Sequence, residues 1–200
     1  MSTPDITYNR GMSRWEPNAR GRLEQAALDL YRERGFDQTT VTEIAERAGL
    51  TERTFFRYFT DKREVLFWGQ ERLRELYVRT IETAPESTAP IDTVVLALEA
   101  AYPVFHESRE LARQRQAVIY ANPGLQEREL LKRAALAAAV TEALRKRGVA
   151  DPVASLAADV GVIAFKTAFA RWVNSPDEPD LSQLIREALD QLKAITRDDR

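Results

Sequence analysis

The sequence predicts an all-α chain, and three observations carry that prediction. Apolar residues recur at helical spacing along most of its length. Strand signals are scarce: there is no long apolar/polar alternation and no Asn-Gly or Asp-Gly pair. Residues that start and stop helices punctuate the chain at helix-sized intervals. No internal repeat interrupts this pattern. The predicted architecture is an arm at 1–17, a three-helix bundle at 18–62 and a larger helical domain at 63–200, about nine helices in all.

The arm is predicted to be flexible, broken by Pro4, Gly11 and Pro17 and mildly basic through Arg10 and Arg14. A first helix runs from about Asn18 to Arg34. Its inward stripe is Leu23, Ala26, Ala27, Leu30 and Tyr31, and Gly35 stops it. Thr40 and Glu43 have capping-box spacing before a short second helix, Val41 to Ala48. Gly49 ends that helix, Thr51 caps a third through Tyr58 or Phe59, and Thr60 or Asp61 caps a long fourth ending near Thr83. Its stripe is Leu66, Gly69, Leu73, Leu76, Tyr77, Thr80 and Ile81. The fifth turns Ile91, Val94, Val95, Leu98, Tyr102 and Phe105 inward, with Pro103 kinking or ending it. A sixth covers Arg109 to Ala121. Pro123 opens a seventh that ends at Gly148. The eighth follows Asp151-Pro152 to Asn174, and the ninth runs from Leu181 to Ile195.

Composition excludes several kinds of chemistry. The chain has no cysteine, which removes disulfides, thiol catalysis and iron–sulfur ligation and fits a reducing compartment. His106 is the single histidine, so no multi-histidine metal site can form, and its spacing beside Phe105 reads as a surface or half-buried residue. There is no Gly-rich phosphate loop and no His/carboxylate cluster at ligand spacing, so neither an enzyme, a metal nor a cofactor is predicted. The longest strictly apolar run, Ala134 to Val140, falls far short of the roughly 20 residues of a membrane span, and no signal peptide is read. Net charge is −2, and residues 1–62 carry ten acidic and ten basic side chains. A nucleic-acid footprint must therefore be one local face.

Residues 40–62, TVTEIAERAGLTERTFFRYFTDK, concentrate the signal. Two short capped helices flank a glycine turn, with Ile44, Ala45, Ala48 and Leu50 placed to pack against the first helix. This is the plan of a helix-turn-helix, whose second helix lies in the DNA major groove. Phe55 and Phe59 give that helix an inward face. Thr51, Glu52, Arg53, Thr54, Arg57 and Tyr58 offer polar contacts. Arg53 can reach a guanine edge bidentately, while Thr51, Thr54, Tyr58 and Lys62 suit phosphates. Thr40 adds a backbone N–H at a helix start. A helical hairpin with solvated charges has the same spacing.

The stretch TVTEIAERAGLTERTFFRYFTDKREVLF, with the first helix and its Gly35-Phe36 ending, resembles the DNA-binding signature of the TetR family of bacterial transcriptional regulators, over about Arg20 to Phe67. The resemblance implies that the third helix reads an operator and that the remaining helices bind an effector and dimerise. By position, Thr40, Thr51, Thr54, Tyr58 and Lys62 match phosphate or groove contacts, and Glu52 and Arg53 match base-reading positions. Phe56 departs from the pattern, because many members carry a tyrosine there whose hydroxyl bonds a phosphate. More weakly, Arg113 to Val173 resembles the C-terminal domain typified by the regulator of the mycofactocin system. That implies a hydrophobic effector of fatty acyl or acyl-CoA type. The implied protein is a cytoplasmic homodimeric repressor on palindromic double-stranded DNA. An activator of the same fold and a helical adaptor are the alternatives.

In the C-terminal half, the eighth helix is apolar on two faces. One is Val153, Leu156, Ala157, Val160, Ala164 and Ala168; the other is Val162, Phe165, Phe169, Trp172 and Val173. A helix of this kind must be covered twice. A second subunit is expected on one face, meeting Val153, Leu156, Val160 and Ala164 together with Leu181, Leu184, Ile185 and Leu192 of the ninth helix. Burial of both faces within one chain is the alternative. Tyr77, Leu98, Tyr102, Phe105, Val118, Ile119, Phe169 and Trp172 are candidates to line an effector pocket, with Arg115 for an anionic group, although the same apolar residues fit an ordinary core. Trp68 reads as an interdomain packing residue.

Overall fold

The computed structural model describes residues 18–102, 109–177 and 179–196. Among these it contains ten helices and no strand. They are α1 (Ala19–Arg34), α2 (Val41–Arg47), α3 (Glu52–Tyr58), α4 (Glu64–Phe67), α5 (Gln70–Thr83), α6 (Pro90–Ala100), α7 (Arg109–Tyr120), α8 (Pro123–Lys146), α9 (Asp151–Asn174) and α10 (Leu181–Thr196). The arm at 1–17, Pro103, Phe105 and His106 lie outside the described residues.

The punctuation acts where the sequence placed it. Thr40 and Glu43 close the capping box of α2, and the Thr51 hydroxyl caps α3 by accepting from the Thr54 N–H. Pro123 opens α8. Gly49 turns α2 toward α3 at φ 65°, a left-handed conformation that a side chain would strain.

The long fourth helix is corrected. It is two helices, α4 and α5, separated at Trp68 and Gly69. Asp61 nucleates α4 by accepting from the Arg63 and Glu64 N–H groups. A glycine inside a helix costs about 1 kcal/mol relative to alanine, and at Gly69 no packing contact offsets that, since a Cβ there would meet nothing within 4 Å. The fifth helix ends at Ala100, shortly before Pro103.

Two cores form. The first joins Leu23, Ala27, Leu30 and Tyr31 of α1 to Ile44, Phe55 and Phe59, and extends to Val65, Leu66 and Phe67 of α4, Val118 and Ile119 of α7 and Leu125 of α8. Packing therefore does not divide at residue 62. The second core joins α5, α6, α8, α9 and α10 around Tyr77, Ile81, Leu98, Leu144, Trp172 and Ile185. Gly161 lets α9 press on α6: a Cβ there would lie 2.3 Å from Val94 Cγ1.

The strict apolar run underestimated α9. By length and composition Asp151–Asn174 could cross a membrane, because its charges are few and widely spaced. A core helix passes the same test, and α9 is packed by α6, α8 and α10.

Candidate DNA-reading face and effector cavity

Helix α3 is held from behind. Phe55 and Phe59 are buried with ring centroids 5.4 Å apart, and Ile44 and Ala45 of α2 are buried beside them. The opposite face stands in solvent. Glu52, Arg53, Phe56, Arg57 and Tyr58 are exposed, with Thr54 half-buried. Arg53 makes no hydrogen bond or ion pair among the described residues, so its guanidinium is unspent. Arg57 donates to the Tyr58 hydroxyl at 3.3 Å and lies 5.0 Å from that ring's centroid. Glu52 accepts from the Thr42 hydroxyl, which ties α3 to α2. Phe56 is 55% exposed, a large apolar surface that water does not favour.

Two assignments change. Lys62 was expected to meet a phosphate, but its ammonium donates to the carbonyls of Phe36, Asp37 and Thr39 at 2.8, 3.2 and 2.8 Å. An ammonium has three donors, so all are spent on the loop after α1. The Tyr31 hydroxyl donates to the Lys62 carbonyl at 2.5 Å, fixing the same joint. Thr40 is likewise engaged: its N–H and its hydroxyl both donate to Glu43 Oε2 at 2.9 Å. The Glu43 carboxyl is held below its ordinary range chiefly by those bonds, so a carboxylate already sits at the start of α2.

A cavity of about 960 Å³ opens between α4, α5, α7, α8 and α9. Of the predicted lining, Tyr77, Leu98, Arg115 and Phe169 face it. Val118 and Ile119 do not; they are buried in the first core. Trp172 lies behind Phe169, ring centroids 5.6 Å apart, and is buried. Tyr102 packs against the second core instead. Phe105 lies outside the described residues.

The sequence reading missed the charged end of this cavity. Arg128 donates to Glu64, with Nε to Oε1 at 2.8 Å, and Lys132 Nζ lies 3.3 Å from Glu64 Oε2. Arg133 holds Glu129 at 2.7 Å. The Arg115 guanidinium lies 3.4 Å from Glu129 and donates to the Leu66 carbonyl. Burial pushes the Arg115 guanidinium below its ordinary value, and Glu129 opposes that shift. These pairs join α7 and α8 to α4, next to the reading helix. A signal was available in the sequence. Leu125, Arg128, Glu129, Lys132 and Leu136 share one face of a helix, an apolar stripe with charges in its middle.

The proposed subunit contact also needs correction. Leu181, Leu184 and Ile185 are buried in the second core, at most 4% exposed, and offer no surface to a partner. Ala164 is buried too. Val153 and Leu156 are exposed, Val160 and Leu192 half-buried, and Ile163 and Ile195, not among the expected residues, are exposed.

Residues 24–67 match the family of bacterial regulatory proteins described as tetR family, and residues 88–197 match the MftR C-terminal domain. The chain is 33% identical over 81 residues to the HTH-type transcriptional regulator TcmR of Streptomyces glaucescens, covering 40% of this chain and 36% of that one. It is 29% identical over 105 residues to the putative mycofactocin biosynthesis transcriptional regulator MftR of Mycobacterium tuberculosis, 52% of each. The matches thus span about a third to a half of these relatives. The fold is similar to that of FadR from Thermus thermophilus, a TetR family transcriptional repressor solved with lauroyl-CoA. That likeness has a TM-score of 0.54 at 25% identity, and covers 90% of this chain and 96% of that one.

Proposed function

The chain belongs to the TetR family of bacterial regulatory proteins, with a C-terminal domain of the MftR type, and we propose that it is a cytoplasmic, homodimeric repressor that a hydrophobic effector releases from a palindromic operator. As a member of that family it is a transcriptional regulator. The observation that carries the reading is the outward face of α3, where an unspent Arg53 stands beside Thr51, Glu52, Thr54, Phe56, Arg57 and Tyr58 on a helix anchored by Phe55 and Phe59. Arg53 reads base edges, and the threonine hydroxyls and Tyr58 hold phosphates. Phe56 packs on sugar or a thymine methyl. Lys62 supports the joint and does not touch DNA.

A dimer is supported by the open apolar stripe of α9, Val153, Leu156, Val160 and Ile163, beside Leu192 and Ile195 of α10. The bound lauroyl-CoA of the Thermus relative and the apolar walls of this cavity support a fatty acyl or acyl-CoA effector. Tilt of α4 and α5, hinged at Trp68 and Gly69, then alters the spacing of two reading helices that must meet grooves about 34–36 Å apart or a multiple of that. A coupling of about 1–3 kcal/mol corresponds to about 5- to 150-fold weaker DNA binding.

The test is a chromosome-wide map of binding sites, followed by titration of a recovered site at several salt concentrations with and without lauroyl-CoA. The expected result is a palindrome, affinity falling linearly in log salt, weaker binding with effector, and increased transcription of the adjacent gene when the protein is deleted. Sites without two-fold symmetry, or transcripts that fall on deletion, overturn the dimer and the repressor in turn.

A further inference from the structure

We propose that the α4 end of the cavity is a binding subsite for an anionic headgroup, and that Glu64 is the internal anion such a headgroup displaces. The proposal rests on the effector reading above and specifies its chemistry. Six Lys or Arg and four Glu line the cavity, so the lining is basic although the whole chain is slightly acidic. The basic charge is concentrated. Arg115, Arg128 and Lys132 lie 5.3, 5.9 and 5.8 Å from the ring centroid of Phe67, and Arg133 joins them through Glu129. Four cations thus share two carboxylates, Glu64 and Glu129, while Glu71, already paired with Arg74, also lies within the field of Lys132.

The donors outnumber the acceptors in the same way. Lys132 makes one bond among the described residues, at 3.3 Å, which leaves two of its three N–H groups. Arg128 commits Nε and one terminal nitrogen, both to the same oxygen of Glu64. Like charges packed this closely repel, and an added anion relieves that repulsion. Away from α4 the lining is mainly apolar, made by Leu73, Tyr77, Leu98, Phe165 and Phe169, with Arg74 and Lys166 as the remaining cations. The occupant that matches both ends is an amphiphilic anion, its head at α4 and its tail toward α6 and α9.

Glu64 and Glu129 hold unequal positions. Glu129 belongs to α8 and is paired by Arg133 on its own helix. Glu64 is the first residue of α4, and its partners lie across the cavity on α8. A carboxylate or phosphate that takes over Arg128 and Lys132 therefore cuts a tie between α8 and the segment that follows the reading helix. A neutral head cannot compete for those cations.

Sodium dodecanoate and 1-dodecanol, used below micelle-forming concentration, separate charge from chain length. Binding is followed by intrinsic tryptophan fluorescence, to which Trp68 in the cavity wall contributes, and release by operator titration. The wild-type protein is expected to bind dodecanoate at least tenfold tighter than dodecanol. Glu64→Gln is expected to tighten dodecanoate several-fold further and leave dodecanol unchanged. Lys132→Met, at a half-buried position, is expected to shrink the preference for dodecanoate while thermal unfolding confirms the fold. Equal binding and equal operator release by the two compounds overturns the headgroup subsite and leaves the hydrophobic effector standing. A wild-type preference that Glu64→Gln does not alter overturns the displacement. No effect of either compound on operator binding overturns the effector reading and this inference together.

Discussion

Helices α3 and α9 answer the question of facing in opposite ways. In α3, seven residues long, Phe55 and the capping Phe59 point inward and all the rest but the half-buried Thr54 is left to solvent, so a single arrangement satisfies the sequence. In α9, 24 residues long, two apolar stripes compete. Trp172, Val173, Ala164 and Ala168 are buried by the chain itself, while Leu156 and Ile163 remain 65% and 57% exposed. Short amphipathic helices carry their orientation in their own pattern. A helix apolar all round records only that it must be covered, and assembly decides by what.

The largest expected effect comes from the two sides of α9. Trp172→Ala empties a fully enclosed site and is expected to cost about 3–5 kcal/mol, seen as a large fall in the unfolding midpoint. Leu156→Glu places a charge on an exposed position. It is expected to leave the folded chain nearly unchanged while sedimentation shows a shift from dimer to monomer and operator affinity drops. Leu184→Glu, attractive from the sequence, does not test the interface, since Leu184 lies in the chain's own core and an unpaired buried charge unfolds it. If Leu156→Glu remains dimeric, the open stripe of α9 is not the contact.

That contrast also separates what was legible from what was not. The caps at Thr40 and Thr51, the turn at Gly49 and the inward pair Phe55 and Phe59 are local, and local rules found them. The outward residues of α3 followed directly. The break at Gly69 was not found, because a glycine in an apolar stripe is tolerated when neighbours pack over it, and only the fold shows that here none do. Val118 and Ile119 were misplaced for a related reason: helical spacing shows that they face inward but not which of two cores receives them. The carbonyl partners of Lys62 were not legible because a lysine beyond a reading helix looks the same whether its donors meet phosphates or carbonyls. The cations of α8 were overlooked because a charged helical face ordinarily points to water.

A second comparison lies within the DNA-binding unit, between an unspent cation and a spent one. Arg53→Ala is expected to leave thermal stability unchanged and to cost about 1–3 kcal/mol at one base-pair position, which a randomised operator library resolves. Lys62→Met removes three bonds to backbone carbonyls. It is expected to lower stability by about 2 kcal/mol and to weaken all operators together, without reducing the slope of binding against salt. A loss of about one unit of that slope in Lys62→Met, with stability intact, would return Lys62 to the phosphate contacts.

The smallest effect concerns Glu24, which lies on α1 where the two cores meet and contributes to the cavity wall. Burial raises its carboxyl above the ordinary value, and Arg20, 3.3 Å away, pulls it back only in part. The sign follows from linkage. A carboxyl whose folded value is raised binds its proton more readily in the folded chain than in the unfolded one. Stability therefore falls as pH rises from the unfolded value through the raised one, and the cost persists at neutral pH. Glu24→Gln carries no such charge. It is expected to raise the unfolding midpoint slightly at neutral pH, by less than about 1 kcal/mol because solvent screens a half-buried site. The advantage should disappear in acid, where Glu24 is protonated and resembles glutamine. Thermal unfolding of both proteins across the acid range measures the difference directly. Destabilisation by Glu24→Gln at neutral pH would mean that the pair with Arg20, itself stacked 3.2 Å from the Trp68 ring centroid, contributes more than burial costs. Glu24 would then be part of what fastens the reading unit to the hinge.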